Sequence, residues 1–568
     1  MSIVDRLAAA RGELPADLVL RNANLVNVIS GEIYRTDIVI HDRHVVALGA
    51  GYEGQDELDL AGKYVTPGLI DAHVHIESSL VTPPEFARAV LPHGVTTVVT
   101  DPHEIANVLG LEGMRYMLER AKNGLLNMFV MASSCVPATD METSGARLEA
   151  EDLAQLLDHP WVLGLAELMN YPGVAFGDEG MLDKISLFSH RVLDGHAPDM
   201  TGAMLNAYVT AGVQSEHECT TVAEALEKLR LGLTIFIREG TTTRNLKPLL
   251  PLITPENHGA ICFCTDDRIP ADLIDHGSID YMIRVAIAEG VDPLMAIRMG
   301  SYNTARHFGL EKYGAVAPGK YADLLIVRNL QNFVPAQVYR GGVLVAQDGA
   351  MRVEPPPPRR INLRGTINVA TSSLDFKVPA AGERIRVIGT VRDQVVTEHL
   401  VEPACIVGGC VESDVERDIL KFAMVERHQA SGNIGLGFIK GFGLQRGAIA
   451  GTVAHDHHNL AVIGVDDNSM RTAVLAIVEM RGGLVLANGD QVLARLPLPV
   501  AGLLSDAPIE VVRQDYDRMI AAAQAMGNRM SDPFMVMSFM GLEVIPKLKL
   551  TDLGLVDVDE FRLVSLFV

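Results

Sequence analysis

Residues 68–77 read GLIDAHVHIE, an apolar run that ends in two histidines two apart and a glutamate two further on. Side chains on a strand alternate faces, so this run predicts a strand that points His73, His75 and Glu77 the same way. Two imidazoles so placed can chelate one metal ion. Seven further runs of similar texture follow: GVTTVVTD (94–101), NMFVMASS (127–134), WVLGLAEL (161–168), RVLDGH (191–196), GVQSEHE (212–218), TIFIREG (234–240) and AICFCTDD (260–267). Helical stretches separate them, an alternation that predicts parallel strands with crossover helices. Eight strands over residues 67–312 match the size of a (β/α)8 barrel, whose active site sits at the C-terminal ends of its strands. An open doubly wound sheet is the competing layout, but no G-x-G-x-x-G follows the first strand.

Potential metal ligands recur at those strand ends. Glu167 closes the fourth run, His196 the fifth, His217 the sixth and Asp266 the eighth. With His73 and His75 they would make four histidines and two carboxylates. That set exceeds the needs of one tetrahedral ion and fits two ions bridged by a carboxylate and by water or hydroxide. Glu77, in phase with the two histidines, is the candidate general acid for the same cavity.

Outside the barrel, residues 1–66 and 313–353 share a texture of short strands and tight turns (ADLVLRNANLVNV, GAVAPGKYADLLIVR). They predict a small β-sandwich-like domain assembled from both flanks of the barrel. EPPPPRR at 354–360 reads as a stiff linker. Residues 361–568 carry alternating strands, glycine-rich turns and a few helices, including the stretch 508–526, and predict an additional C-terminal α+β domain.

A formal charge of −23 over 568 residues argues against nucleic acid as a partner, because phosphate recognition needs clustered Lys and Arg. A small neutral or cationic substrate suits the balance better. The N-terminus lacks a basic stretch followed by a long apolar run, and nowhere do roughly 18 apolar residues run uninterrupted. The expectation is a soluble cytoplasmic protein without membrane contact. Six cysteines in this length form no dense disulfide framework. Cys262 and Cys264 sit in the apolar run AICFCTD and read as buried strand residues.

Three other polar clusters have two readings each. In TDPHEIAN, Asp101, His103 and Glu104 are either substrate-binding groups or their supports at the barrel mouth, or a helix start in which Asp101 caps and Glu104 completes a capping box. Arg238 and Glu239 after the seventh strand either bind substrate or pair with each other. His455, Asp456, His457 and His458 form a metal site, close over the mouth and lend it a histidine, with His457 as the candidate, or make a solvated turn between two strands.

The pattern of H-x-H on strand 1, single histidines on strands 5 and 6 and an Asp on strand 8 resembles the amidohydrolase superfamily. The wider text, PGLIDAHVHIESSLVTPPEFARAVLPHGVTTVVTDPHEIANVLG, then LAELMNYPGV, DGHAP, SEHE, REGT, FCTDDR and TVAHDHHNL, resembles bacterial adenine deaminases over nearly the whole chain. Binuclear members of the superfamily often bridge their metals with a carboxylated Lys on strand 4. This chain has no Lys in that run, and the resemblance makes Glu167 the bridge. It further implies two divalent ions, Mn or Fe with Zn as a third choice, a hydroxide attacking C6 of adenine, Asp266 passing a proton to the leaving ammonia, and a homodimer. One rival is another amide hydrolase within the superfamily, and the other, from a different class, is a non-catalytic scaffold. A deacetylase of the N-acetylglucosamine-6-phosphate type would need a basic cluster at the mouth, and a dihydropyrimidinase-like scaffold would lack the ligands. The zinc deaminases with H-x-E and P-C-x-x-C share only His75-Ile76-Glu77, since no P-C-x-x-C occurs.

Overall fold

Eight parallel strands, here β1 (Leu69–Val74), β2 (Val95–Thr100), β3 (Asn127–Ser133), β4 (Val162–Leu168), β5 (Val192–Gly195), β6 (Ser215–Glu216), β7 (Thr234–Arg238) and β8 (Ile261–Cys264), form the centre of the computed structural model. The structure describes residues 3–354, 363, 365–392 and 394–568. Strands β1–β5 make one ladder and β6–β8 another. The ring closes at both seams. A parallel bridge joins Val74 to Asp266, with Asp266 N–H donating to the His73 carbonyl at 3.0 Å, and Gln214 N–H donates to the Leu193 carbonyl at 2.9 Å. The buried Asp71 carboxylate ties the first seam further, accepting from Thr265 N–H at 3.0 Å and Thr265 Oγ1 at 2.5 Å.

Two glycines let β4, β5 and β6 approach one another. A Cβ on Gly164 would lie 1.9 Å from the Val192 carbonyl oxygen, and one on Gly195 would lie 2.5 Å from that of Ser215. Any larger residue would push β4, β5 and β6 apart. Cys262 and Cys264 are buried within β8, and all six cysteines are free thiols.

The two flanking segments meet in one nine-stranded sheet. Tyr64–Pro67 from the N-terminal side runs antiparallel to Leu324–Val327 from the C-terminal side, with Thr66 opposite Leu325. The proline-rich stretch read as a linker lies, from residue 355 on, outside the described residues.

Beyond it, an eight-stranded, mainly antiparallel sheet carries the helices Asp467–Met480 and Ile509–Ala525, and a three-stranded sheet follows near the C-terminus. This α+β unit docks on the barrel mouth. Ser505 N–H donates to the Leu80 carbonyl at 2.7 Å, Thr139 Oγ1 donates to Glu543 at 2.6 Å, and Thr143 N–H donates to Asp552 at 2.8 Å. One buried apolar cluster runs from barrel residues such as Val81 and Leu168 into Phe539, Leu542 and Ile545.

Candidate metal centre

The side chains of His73, His75, Glu167, His196, His217 and Asp266 converge on the barrel mouth, and each is almost fully buried. Glu167, near the end of β4, stands between two pairs of imidazoles. Its Oε1 lies 3.3 Å from His73 Nε2 and 3.0 Å from His75 Nε2. Its Oε2 lies 2.7 Å from His196 Nδ1 and 3.0 Å from His217 Nε2. Asp266 Oδ1 approaches His75 Nε2 at 3.2 Å. His73, His75 and Asp266 form one set of donors that can hold a metal, and Glu167, His196 and His217 another.

Hydrogen bonds behind the rings decide which nitrogens face inward. His73 Nδ1 lies 3.1 Å from Asp194 Oδ2. The Asp194 carboxyl is itself held below its ordinary range, where the His73 and Ser215 contacts outweigh burial. His75 Nδ1 lies 2.9 Å from the Asp101 carbonyl, which can only accept. Both rings therefore carry a proton on Nδ1 and turn Nε2 toward the centre. Those two Nε2 atoms lie 3.1 Å apart and both face the Glu167 carboxylate. Four imidazoles packed around one buried carboxylate call for positive charge at the centre, and divalent cations held by the Nε2 lone pairs and the carboxylate oxygens would supply it. The residues present fit a binuclear metal centre.

Arg238, at the end of β7, donates to Asp266 Oδ2 at 2.6 Å and to Glu218 Oε2 at 2.6 Å, with a further bond to Glu218 Oε1. Burial pushes the Asp266 carboxyl up, but Arg238 and His75 hold it well below its usual range. The cavity beside these groups is lined by Met169 and Thr243 of the barrel and roofed by Val395, His455, Asp456, Phe539, Leu542 and Ile545 of the C-terminal unit. Phe539 stacks on His455, centroids 4.3 Å apart. Glu104 reaches up from the barrel and bonds both His455 Nδ1 and His458 Nε2, so it holds the roof in place.

Several expectations from the sequence are corrected. Glu77 does not line the cavity. Strand β1 stops at Val74 and the chain turns into a 3-10 helix at Ile76–Ser79, so alternation does not carry on to Glu77. Its Oε1 accepts instead from Ile105 N–H at 3.3 Å, and burial together with Glu104 pushes its carboxyl up to about 7. His457 also points away: its Nδ1 accepts from Asn459 N–H at 2.9 Å, and its ring packs against Gly541. The members of that cluster that face the cavity are His455 and Asp456, and the whole cluster is buried rather than a solvated turn.

Asp101 stays behind the wall, 3.0 Å from His103 Nδ1 and accepting from Ser133 Oγ at 2.8 Å. It positions His103, which does line the cavity. The helix His103–Leu109 begins without a side-chain cap, so no capping box forms. Arg238 lines the cavity but pairs with Glu218 and Asp266, while Glu239 turns to Leu246 N–H at 3.1 Å. Glu218, Asp267 and Asp194 were missed although each lies within two residues of a candidate ligand. Phe539, Leu542 and Ile545 carry no local signal at all.

The barrel and its mouth of histidines and carboxylates define a metal-dependent amidohydrolase, and a profile of the amidohydrolase family matches residues 64–345. A profile of the adenine deaminase C-terminal domain matches residues 394–562. An adenine deaminase of Desulfatibacillum aliphaticivorans is 50% identical over 565 residues, covering 99% of both chains. One of Kosmotoga olearia is 46% identical over 575 residues, covering 100% of this chain and 99% of its own. Among solved structures, a β-aspartyl dipeptidase of Fervidobacterium islandicum AW-1 is 18% identical, with a TM-score of 0.45, over 59% of this chain and 98% of its own. The chain belongs to the adenine deaminase family.

Proposed function

We propose that this chain hydrolyses adenine to hypoxanthine and ammonia at the barrel mouth. The observation that carries the reading is Glu167 set between two imidazole pairs, under a roof that matches the adenine deaminase C-terminal domain. His73, His75 and Asp266 would hold one divalent ion and His196 and His217 the other, with Glu167 shared between them. Such ions, when bound, supply a water whose pKa falls from about 15.7 toward neutrality and so provide a nucleophile. Mn or Fe is our expectation, and the donor set also accepts Zn.

The remaining work falls to the chain. Asp266, kept ionised by Arg238, takes a proton from the attacking water and returns it to the leaving amine. Arg238 fixes the carboxylate by its bond to Oδ2, so the proton acceptor does not swing. Met169, Val395, Phe539, Leu542 and Ile545 give the cavity apolar walls suited to a flat heteroaromatic ring and keep bulk water out. Among the described residues no helix is long and apolar enough to cross a membrane. A cytoplasmic homodimer is the assembly we propose, on family resemblance.

The test is an assay of metal-reconstituted protein against adenine, adenosine, guanine, cytosine and N-acetylated sugars. Hypoxanthine and ammonia should appear in equal amounts from adenine. Acetate without ammonia would move the protein to the deacetylases.

A further inference from the structure

With Glu77 outside the cavity, the carboxyl expected from the sequence to protonate the purine ring is not there to do so. Attack at C6 pushes an electron pair onto a ring nitrogen, which must be protonated as the tetrahedral carbon forms. Six carboxyls line the cavity: Glu104, Glu167, Glu218, Asp266, Asp267 and Asp456. Five have a hydrogen-bonded or ion-paired partner, Asp267 through one oxygen only. Glu104 is held by His455 and His458, Glu167 by the four histidines, Glu218 and Asp266 by Arg238, and Asp267 accepts the Ser78 hydroxyl. Asp456 alone keeps a buried oxygen, Oδ2, with no hydrogen-bond partner among the described residues. Its Oδ1 stands 3.7 Å from His103 Nε2, on the side of the cavity that His103 shares with His75.

We propose that Asp456, supplied by the C-terminal unit, is the acid that contacts the substrate and protonates N1 of the purine, resting on the adenine reading above. The balance is complete. The C6–O bond forms, the C6=N1 π pair moves to N1, and N1 takes the Asp456 proton, which stays there in the product. Asp266 carries one water proton to N6, the C6–N6 bond breaks and ammonia leaves. The remaining hydroxyl proton departs as C6=O forms, and solvent returns a proton to Asp456.

The surroundings leave this carboxyl partly protonated near neutrality. Burial pushes it up to about 7, aided by Glu104 of the barrel helix and Glu167 of β4 and opposed by His103 and by His455 of its own loop. Glu142, from the loop after β3, faces it as a further carboxyl. The roof also explains why a barrel closed by this C-terminal unit can dispense with an acid on its own first strand.

Asp456→Asn and Asp456→Ser, reconstituted with manganese, test the assignment against the wild type. The wild-type rate on adenine comes first, so failure of the adenine reading shows before any variant is judged. Both variants should hold as much metal as the wild type, and their kcat should fall by a factor of about 100 to 1,000. The wild-type kcat/KM should decline as pH rises through the pKa of this acid, and that alkaline limb should be absent in the variants. A metal-loaded variant that keeps more than about a fifth of kcat, or keeps the alkaline limb, overturns the proposal. Loss of metal or of the folded state in both variants also overturns it, since Asp456 would then be structural.

Discussion

Glu167 gathers the charge of the site: four imidazoles face its two oxygens, and no Lys occurs on β4 that could replace it. An amide there would offer one acceptor and one donor, and the donor would confront imidazole nitrogens that need a cation. Glu167→Gln should therefore lose bound metal together with at least about a thousandfold in turnover, read by elemental analysis and ammonia release. Two retained metals with full activity would sink the bridging role. Arg238 makes a different point, because its loss strands Glu218 in a buried site. Arg238→Met should lower stability by about 3 kcal/mol, measured by denaturant unfolding, since removing one partner of a buried pair leaves the other charge uncompensated.

Single elements show how backbone ends are served. Asp532 caps the helix Pro533–Ser538, accepting from Met535 N–H at 2.9 Å, and accepts the Tyr516 hydroxyl at 2.7 Å from the helix Ile509–Ala525. Asp532→Ala removes the cap and leaves a buried hydroxyl unpartnered, so it should cost about 2 kcal/mol in thermal or denaturant unfolding. Burial pushes this carboxyl from 3.8 up to about 6. Between those values the folded protein binds the proton and the unfolded chain does not, so this group's contribution to stability falls as pH rises from 4 to 6. In Asp532→Asn that part of the pH slope should vanish.

At the scale of the whole molecule, the barrel and the C-terminal unit share one apolar core across the mouth. A chain ending at residue 353 would expose Leu80, Val81 and their neighbours and leave the cavity roofless. It should aggregate and release no ammonia, as checked by sedimentation and assay. The full chain should sediment at twice its 61.4 kDa mass if the proposed homodimer forms.

Much of the fold was legible because its signals are local. Short β-branched and apolar runs between helical stretches marked all eight barrel strands, and His73, His75, Glu167, His196, His217 and Asp266 stood at or just past their ends. Local rules failed where the chain left the strand: the 3-10 turn after His75 took Glu77 off the face its phase assigned. They failed again where a contact spans hundreds of residues. Nothing near Glu104 announces His455 and His458, and nothing near Asp456 or Phe539 announces a cavity at the barrel mouth. Sequence alone determined the barrel and which donors stand at its strand ends, since apolar runs broken by helical stretches are local signals. Only the tertiary structure decided which groups roof the site and which carboxyl remains unpaired, because burial and hydrogen bonding there depend on two distant units packed face to face.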